Sequence, residues 1–366
     1  MKIYVLFHGP EIFYSGVAAK LLEALGRLGS VRGVVTGTMT RTAALDEYLD
    51  DRVEVWEKTP SSCLKDMEGE ADLLVIASYA KMPVSGYAYA WRLVEKSRVK
   101  KPLVQVEASN GTVIPWSNGR EVAEYLAREL NFTLKMPTQF ERTLWREGSR
   151  VYRRVLAVNP GEFLLINGFL VGRVRGNEVI LVEENGRLVE LLGVDVKEHG
   201  LEKLVKRYPI LNLEEAKVDT LSLLRKSKRE APVRGSRGVG VAFIDHSGYD
   251  IYHFAGRCEG AVCVGDDTTL VASDILYRFD TPVLGIVDKD CDLILEHVNV
   301  HPESELLITR HDDEAGELIF KQLFRERSFS KELSFQEVKE RTAELLKRAD
   351  LLIRRTPLDL KEWQLK

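Results

Sequence analysis

Four apolar segments in the C-terminal third of the chain each end on acidic residues or on a histidine. They are GVGVAFIDH (238–246), GAVCVGDD (260–267), PVLGIVDKD (282–290) and ELLITRHDD (305–313). Short apolar runs that alternate with helical patterns predict a parallel sheet buried on both faces. The carboxyl ends of parallel strands meet at one edge, where open α/β sheets bind ligands. The sequence therefore predicts that several carboxylates converge there, at an electrostatic cost that a divalent cation or a protonation shift would relieve.

The 366-residue chain is long enough for two or three domains. Strand and helix patterns alternate at both ends, whereas Pro-Gly and Asn-Gly turn signals between Val151 and Gly193 favour antiparallel hairpins. A helical pattern runs from His199 to about Lys226, and an amphipathic one from Leu333 to Arg355. The predicted fold class is α/β, with a Rossmann-like parallel-sheet domain (1–135), a small β-rich domain (136–200), a helix with a basic linker (201–237), a second α/β domain (238–325) and a C-terminal helical tail (326–366).

Composition limits the kinds of partner that the protein can bind and the compartment in which we expect it. The net charge of −4 provides no global basic field, so nucleic-acid binding would need a local patch such as RKSKREAPVRGSRG, which a solvated linker explains more simply. No apolar run approaches the ~18 residues of a membrane span. The cysteines show no metal-binding or disulfide spacing; they are Cys63, Cys258, Cys263 and Cys291. We therefore expect a cytoplasmic protein without membrane contact.

The segment AVCVGDDTTLVASDILYRFDTPVLGIVDKDCD resembles the core of a Toprim domain, as in bacterial-type primases. In that family a strand ends in Leu-Gly-Thr and a later strand ends in an Asp-x-Asp pair, and Asp245 stands where the family has a catalytic glutamate. The resemblance implies that Asp245, Asp288 and Asp290 hold Mg²⁺ or Mn²⁺, with Asp245 as third ligand or general base. It also implies a phosphate-binding set made of Gly265, Asp267, Thr268, Thr269 and Lys289.

The same residues also support this chemistry on physical grounds. Mg²⁺ prefers hard oxygen ligands and bridges carboxylates to phosphate oxygens, and the turn after Gly265 opens a helix whose free N–H groups suit a phosphate. The alternative is structural: Asp266 or Asp267 caps the helix, and the acids after Val287 belong to a solvated loop. The aspartate in place of the glutamate and the lysine between the two aspartates favour a degenerate site.

A second set of polar residues follows the strands predicted in the first domain. Hydroxyl groups and an arginine at a helix start form a plausible cradle for an anion. Neither G-x-G-x-x-G nor a P-loop is present, and helix capping by Thr38 or Thr40 is the competing explanation. The predicted ligand-binding residues are His8, Glu11, Thr38, Thr40, Arg41 and Lys81.

Two functions remain open from these patterns. The first is a metal-dependent enzyme that cleaves a phosphodiester or transfers a phosphoryl group on a phosphate-bearing small molecule or nucleotide. The second is a non-enzymatic regulator that binds a small anionic metabolite and carries a degenerate Toprim-like domain.

Over its full length the chain resembles an archaeal family of uncharacterised proteins, through stretches such as FHGPEIFYSG, TGTMTRTAALD and KEHGLEKL. That resemblance implies an archaeal origin and no particular activity. The oligomeric state stays open.

Overall fold

The structure is a computed structural model, which describes residues 1–140, 143–221, 228, 230–246, 248, 250–288 and 297–359. The chain divides into two compact units, Met1–Leu223 and Leu224–Lys366. Both units combine helices with sheets, and the N-terminal region is rich in parallel strands. Across these ranges we find no helix with both the length and the apolar character needed to cross a membrane.

The first sheet begins the N-terminal unit. Its strands are β1 (Lys2–His8), β2 (Ser30–Val35), β3 (Val53–Val55), β4 (Leu73–Ser78), β5 (Leu103–Glu107), β6 (Thr112–Ser117) and β7 (Thr133–Leu134). They lie in the order β3-β2-β1-β4-β5-β6-β7, in which the pairs from β3 to β5 are parallel and β6 runs antiparallel to β5. The order of the strands therefore reverses between β1 and β4.

Helices cover both faces of this sheet, which explains why β4 is buried along its whole length. They are α1 (Glu11–Tyr14), α2 (Val17–Gly26), α3 (Thr38–Asp46), α4 (Pro60–Glu68), α5 (Pro83–Ser97) and α6 (Arg120–Leu130). One apolar core joins β1 and β4 to α1, α2, α3 and α6, and the other joins them to α4 and α5. A continuous apolar strand such as LLVIAS is stable only between two such layers.

Antiparallel strands follow within the same unit. They are β8 (Leu144–Glu147), β9 (Arg150–Val155), β10 (Phe163–Ile166), β11 (Phe169–Val174), β12 (Val179–Glu184), β13 (Arg187–Leu192), β14 (Val194–Val196) and β15 (Val218–Leu221), with α7 (Glu198–Arg207) before β15. They form two sheets, β14-β11-β10-β15 and β13-β12-β9-β8, around one shared apolar core. The hairpins predicted between Val151 and Gly193 are confirmed, since β10–β11 and β12–β13 pair antiparallel, and β8–β9 is a further hairpin that the prediction did not include.

The described residues of the C-terminal unit form one sheet with parallel central strands. The elements are β16 (Val241–Asp245), α8 (Ile251–Phe254), β17 (Gly260–Val264), α9 (Asp266–Tyr277), β18 (Val283–Val287), β19 (Glu305–Thr309), α10 (Asp312–Gln322), β20 (Phe329–Ser330), α11 (Phe335–Arg348) and β21 (Leu352–Pro357). The order is β20-β16-β17-β18-β19-β21, and only the two edge strands run antiparallel to their neighbours. The predicted parallel pairing of the four apolar runs is confirmed.

Two predicted helices are too long. The helix expected from His199 to about Lys226 ends at Arg207, and β15 follows and pairs with β10. The helix expected to reach Arg355 ends at Arg348, and β21 then pairs with β19. Both strands are short and carry polar residues, so the sheet partner rather than the local sequence pattern determines their conformation.

Candidate functional site

The carboxyl edge of the C-terminal sheet brings acidic side chains from three strand ends together. Asp266 opens α9 directly after β17, Asp288 follows β18, and Asp312 opens α10 after β19. Carboxylate oxygens of these three residues all lie within 4.8 Å of one another. Each of three neighbouring parallel strands is therefore followed by one carboxylate of this group, because the residues after parallel strands lie at the same edge of the sheet.

Two of these three carboxylates are buried. Asp266 is 3% exposed and Asp312 is 6% exposed. Backbone amides provide part of the compensation, because Asp288 N donates to Asp266 Oδ2 at 3.2 Å and Asp313 N donates to Asp312 Oδ1 at 2.7 Å. Carboxylates this close repel one another, and a divalent cation would relieve that repulsion. We refer to Asp266, Asp288 and Asp312 as the acidic triad.

His246 stands beside the acidic triad with a carboxylate on each side of its ring. Its Nδ1 lies 2.6 Å from Asp245 Oδ1, and its Nε2 lies 3.8 Å from Asp312 Oδ2 and 3.7 Å from Asp313 Oδ1. His246, Asp312 and Asp313 also offer ligand atoms that lie within 4.8 Å of one another. Asp312 thus belongs to both groups. A carboxylate on Nδ1 fixes the imidazole so that Nε2 faces the acids.

The backbone on both sides of this ring takes unusual conformations. His246 has a φ of 48° and Gly265 a φ of 96°. A Cβ atom on Gly265 would lie 2.8 Å from His246 Nε2, too close for any real contact. The glycine between β17 and α9 is therefore needed for two reasons: it tolerates positive φ, and it leaves room for the imidazole.

The carboxyl edge of the N-terminal sheet carries a second polar row. His8, Ser78 and Glu107 lie side by side at the ends of β1, β4 and β5. Glu107 is fully buried and accepts hydrogen bonds from Ser78 Oγ at 2.7 Å, Ala80 N at 3.0 Å and Ser109 N at 3.1 Å. This carboxylate therefore anchors the loops that follow β4 and β5.

His8 itself is stacked on an aromatic ring. Its ring centroid lies 3.9 Å from that of Tyr89, with the planes at 16°. Burial lowers the pKa of His8 to about 4, Asp219 opposes that shift, and the cations of Lys217 and Arg92 add to it. The imidazole is therefore neutral at physiological pH.

Comparison with known proteins shows which family this chain is part of. A family model described as an uncharacterised protein conserved in archaea matches residues 5–327. The chain belongs to that family. An uncharacterised protein of Methanocaldococcus jannaschii is 34% identical over 357 residues, which cover 93% of this chain and 96% of that relative. No solved structure matches. The family resemblance that the sequence stretches indicated is thereby confirmed.

The structure places the residues predicted for the C-terminal site in different surroundings. Asp288 is in the acidic triad, whereas the exposed side chain of Asp245 contacts His246 and belongs to neither of the described groups of three residues whose ligand atoms lie within 4.8 Å of one another. Thr269 is fully buried, and its hydroxyl donates to the Cys263 carbonyl at 3.4 Å. Asp267 and Thr268 lie in the first turn of α9, after Gly265. Lys289 and Asp290 lie outside the described residues.

Three side chains at this edge are not among the site residues predicted from sequence. Asp266 and Asp312 follow two of the apolar runs, but the family motif points to Asp245 instead. The available signal is the end of the fourth apolar run, where Asp312 follows β19 after Arg310 and His311. His246 was equally visible as the residue after Asp245, but its ring orientation depends on a left-handed backbone that no pattern reveals.

The residues predicted for the N-terminal site fall into separate groups. Lys81 Nζ contacts Glu162 Oε2 at 2.5 Å and Thr220 Oγ1 at 2.7 Å, so it ties the loop after β4 to the antiparallel sheet. Thr38, Thr40 and Arg41 lie in the first turn of α3, where Thr40 is buried. Glu11 opens α1. His8 lies at the end of β1.

Proposed function

We propose that the C-terminal unit is the catalytic part of an enzyme that uses a divalent cation to act on a phosphate-bearing substrate. The observation that carries this proposal is the acidic triad, with carboxylate oxygens within 4.8 Å of one another and two carboxylates almost fully buried. Oxygen-only ligation fits Mg²⁺ or Mn²⁺ better than zinc. Such a cation, when bound, would neutralise charge on phosphate oxygens.

His246 gives this edge a group that can exchange protons. With Nδ1 held by Asp245, the Nε2 atom faces the acids and would accept a proton from an attacking water or hydroxyl group. Asp245 then positions the ring, a different role from the cation ligand or general base expected from sequence. The helices α9 and α10 both begin at this edge, where the partial positive charge of a helix N-terminus favours a phosphate.

The finer fold assignments are part of the same proposal. The strand order β3-β2-β1-β4-β5 with helices on both faces supports a Rossmann-like domain at the N-terminus. The glycine before α9 and the aspartate after β18 support a Toprim-like origin for the second unit. A phosphate-bearing small molecule or nucleotide is the substrate class that fits, and a cytoplasmic location suits such a substrate.

The decisive experiment measures Mn²⁺ affinity by titration calorimetry for the wild-type protein and for Asp312→Asn. The asparagine keeps an oxygen for the Asp313 amide but removes one negative charge from both groups of ligand atoms. We expect the dissociation constant to rise at least ten-fold, about 1.4 kcal/mol. Glu314→Gln is the matched control, because Glu314 is an exposed acid in the same first turn of α10.

Thermal stability measured without metal distinguishes a cation-binding site from a cluster of acids that only stabilises the fold. If the triad is built for a cation, Asp312→Asn relieves repulsion and the metal-free variant is at least as stable as the wild type. Equal Mn²⁺ affinities in the two proteins would eliminate the cation site. Hydrolysis of p-nitrophenyl phosphate and bis(p-nitrophenyl) phosphate then tests the enzyme itself. Tight Mn²⁺ binding without turnover of either ester would favour the alternative, a regulator with a degenerate site.

A further inference from the structure

A second group of metal-binding side chains overlaps the acidic triad. It consists of His246, Asp312 and Asp313, whose ligand atoms all lie within 4.8 Å of one another. We refer to these three residues as the histidine group. Asp312 belongs to both sets, whereas His246 and Asp313 belong to the histidine group alone. Two sets of ligands that share one carboxylate can hold two cations side by side, as two-metal sites do.

The two sets differ in the atoms that they offer to a cation. The acidic triad provides carboxylate oxygens only, which are the ligands that Mg²⁺ prefers. The histidine group adds an imidazole nitrogen to two carboxylates. Imidazole favours transition cations such as Zn²⁺ and Co²⁺ over Mg²⁺. The donor atoms therefore assign different classes of cation to the two sets.

The imidazole ring of His246 is oriented for coordination. Its Nδ1 lies 2.6 Å from Asp245 Oδ1, and its Nε2 lies 3.8 Å from Asp312 Oδ2 and 3.7 Å from Asp313 Oδ1. A carboxylate on one nitrogen of a metal-binding histidine fixes the ring and makes the other nitrogen a stronger ligand. Ligand atoms around a tetrahedral cation lie about 3.4 Å apart, since each bond is about 2.1 Å long. The three ligand atoms therefore need to approach one another by only a few tenths of an ångström to meet on one ion.

The histidine group is accessible from solvent. The side chain of Asp313 is 59% exposed and that of His246 is 26% exposed, whereas that of Asp312 is 9% exposed. Because two of the three side chains reach solvent, a cation can enter the group. The buried carboxylate of Asp312 then attracts it in surroundings that screen charge least.

We propose that the histidine group binds a transition cation of the Zn²⁺ type beside the Mg²⁺ or Mn²⁺ ion of the acidic triad, and that this second cation inhibits the reaction. The inhibition rests on the function proposed above, in which His246 Nε2 accepts a proton, but the binding site does not. A nitrogen that coordinates a cation has no lone pair left for a proton, so an occupied histidine group stops the proton transfer.

Absorption spectroscopy of Co²⁺ tests the site in the full-length protein. Co²⁺ with a nitrogen ligand and few neighbours absorbs visible light more strongly than Co²⁺ surrounded by six oxygens, and excess Mg²⁺ keeps Co²⁺ out of the acidic triad. We expect saturation at one Co²⁺ per chain. Asp313→Asn should raise the Co²⁺ dissociation constant at least about ten-fold. Glu314→Gln is the matched control, because it removes another exposed acid from the first turn of α10 and should leave that constant nearly unchanged.

A crossed comparison separates this site from the acidic triad. Asp288→Asn alters the triad only, so it should weaken Mg²⁺ binding in calorimetry and leave the Co²⁺ affinity nearly unchanged, whereas Asp313→Asn should do the reverse. His246→Asn should abolish the strong Co²⁺ absorption, and asparagine tolerates the φ of 48° at this position. A protein that binds Co²⁺ in this way but not Mg²⁺ would retain the histidine group and lose the function proposed above.

The inhibition is measured as hydrolysis of p-nitrophenyl phosphate supported by Mg²⁺. Zn²⁺ should displace Co²⁺ from the wild type and stop turnover over the same range of concentration, and Asp313→Asn should need at least about ten-fold more Zn²⁺. Turnover that continues after Zn²⁺ has displaced Co²⁺ overturns the inhibition. Absence of strong Co²⁺ absorption in the wild type, or Co²⁺ affinity that Asp313→Asn and His246→Asn leave unchanged, overturns the site itself.

Discussion

Replacement of Arg278 by methionine should destabilise the C-terminal unit strongly. Arg278 follows the last turn of α9 and is completely buried, as is Asp274 one turn earlier. The guanidinium donates to the Asp274 carboxylate at 3.0 Å and also to the Asp274 carbonyl. Asp274 Oδ1 further accepts from Asn299 N at 2.9 Å and Asn299 Nδ2 at 2.6 Å. The pair thus joins α9, which carries Asp266, to the segment before β19.

The loss of unfolding free energy can be worked out from the charged and polar groups that stay buried after the substitution. Arg278→Met removes the guanidinium that contacts the buried Asp274 carboxylate, which keeps the amide donors of Asn299, and removing one partner of a buried pair costs about 3–5 kcal/mol. For a unit of this size that corresponds to a fall of roughly 10–17 °C in the melting temperature. The double variant Asp274→Asn/Arg278→Met removes both charges and keeps an oxygen for Asn299. It should therefore be about 1–2 kcal/mol more stable than Arg278→Met alone.

Native-state hydrogen exchange of peptides that cover α9 measures the opening free energy of this unit directly. Arg348→Met is the control, because Arg348 forms an exposed pair with Glu344 on α11 and its loss should cost less than about 0.5 kcal/mol. A cost below about 1 kcal/mol for Arg278→Met would refute the reasoning. So would a double variant less stable than the single one, since buried charge would then not be the source of the cost.

Two further predictions concern the two sheet edges. Because the pKa of His8 is about 4 when folded and 6.5 when unfolded, the unfolded state binds more protons between these values, and stability is lost as pH falls from 6.5 towards 4. Denaturant titrations should show wild type losing up to about 3 kcal/mol more than His8→Phe over that window; parallel pH profiles would contradict this. Gly265→Ala should cost more than about 1 kcal/mol in thermal unfolding, because alanine is strained at a φ of 96° and its Cβ displaces the His246 ring. It should also weaken Mn²⁺ binding, and unchanged affinity would show that the position of His246 does not matter there.

Local sequence patterns predict the secondary structure correctly where the spacing of apolar residues itself shows which faces of a segment are buried. The four apolar runs gave β16 to β19 as parallel strands, because a strand covered on both faces must be apolar throughout. The Asn-Gly signals at Asn167 and Asn185 gave hairpins, because both asparagines adopt the positive φ that such turns require. The position of Asp288 at a strand end followed from the same pattern.

Only the tertiary structure shows the contacts and strand pairings between residues that are far apart in the sequence. Asp312 rather than Asp245 meets Asp288, because the side chain of Asp245 turns to the adjacent His246. Lys81 contacts Glu162, which lies 81 residues later in the sequence, so no local pattern indicates this contact. The strands β15 and β21 are polar and short, and only pairing with β10 and β19 stabilises them. Periodicity encodes which face of an element is buried, but the contacts between side chains on separate elements arise only when the chain has folded.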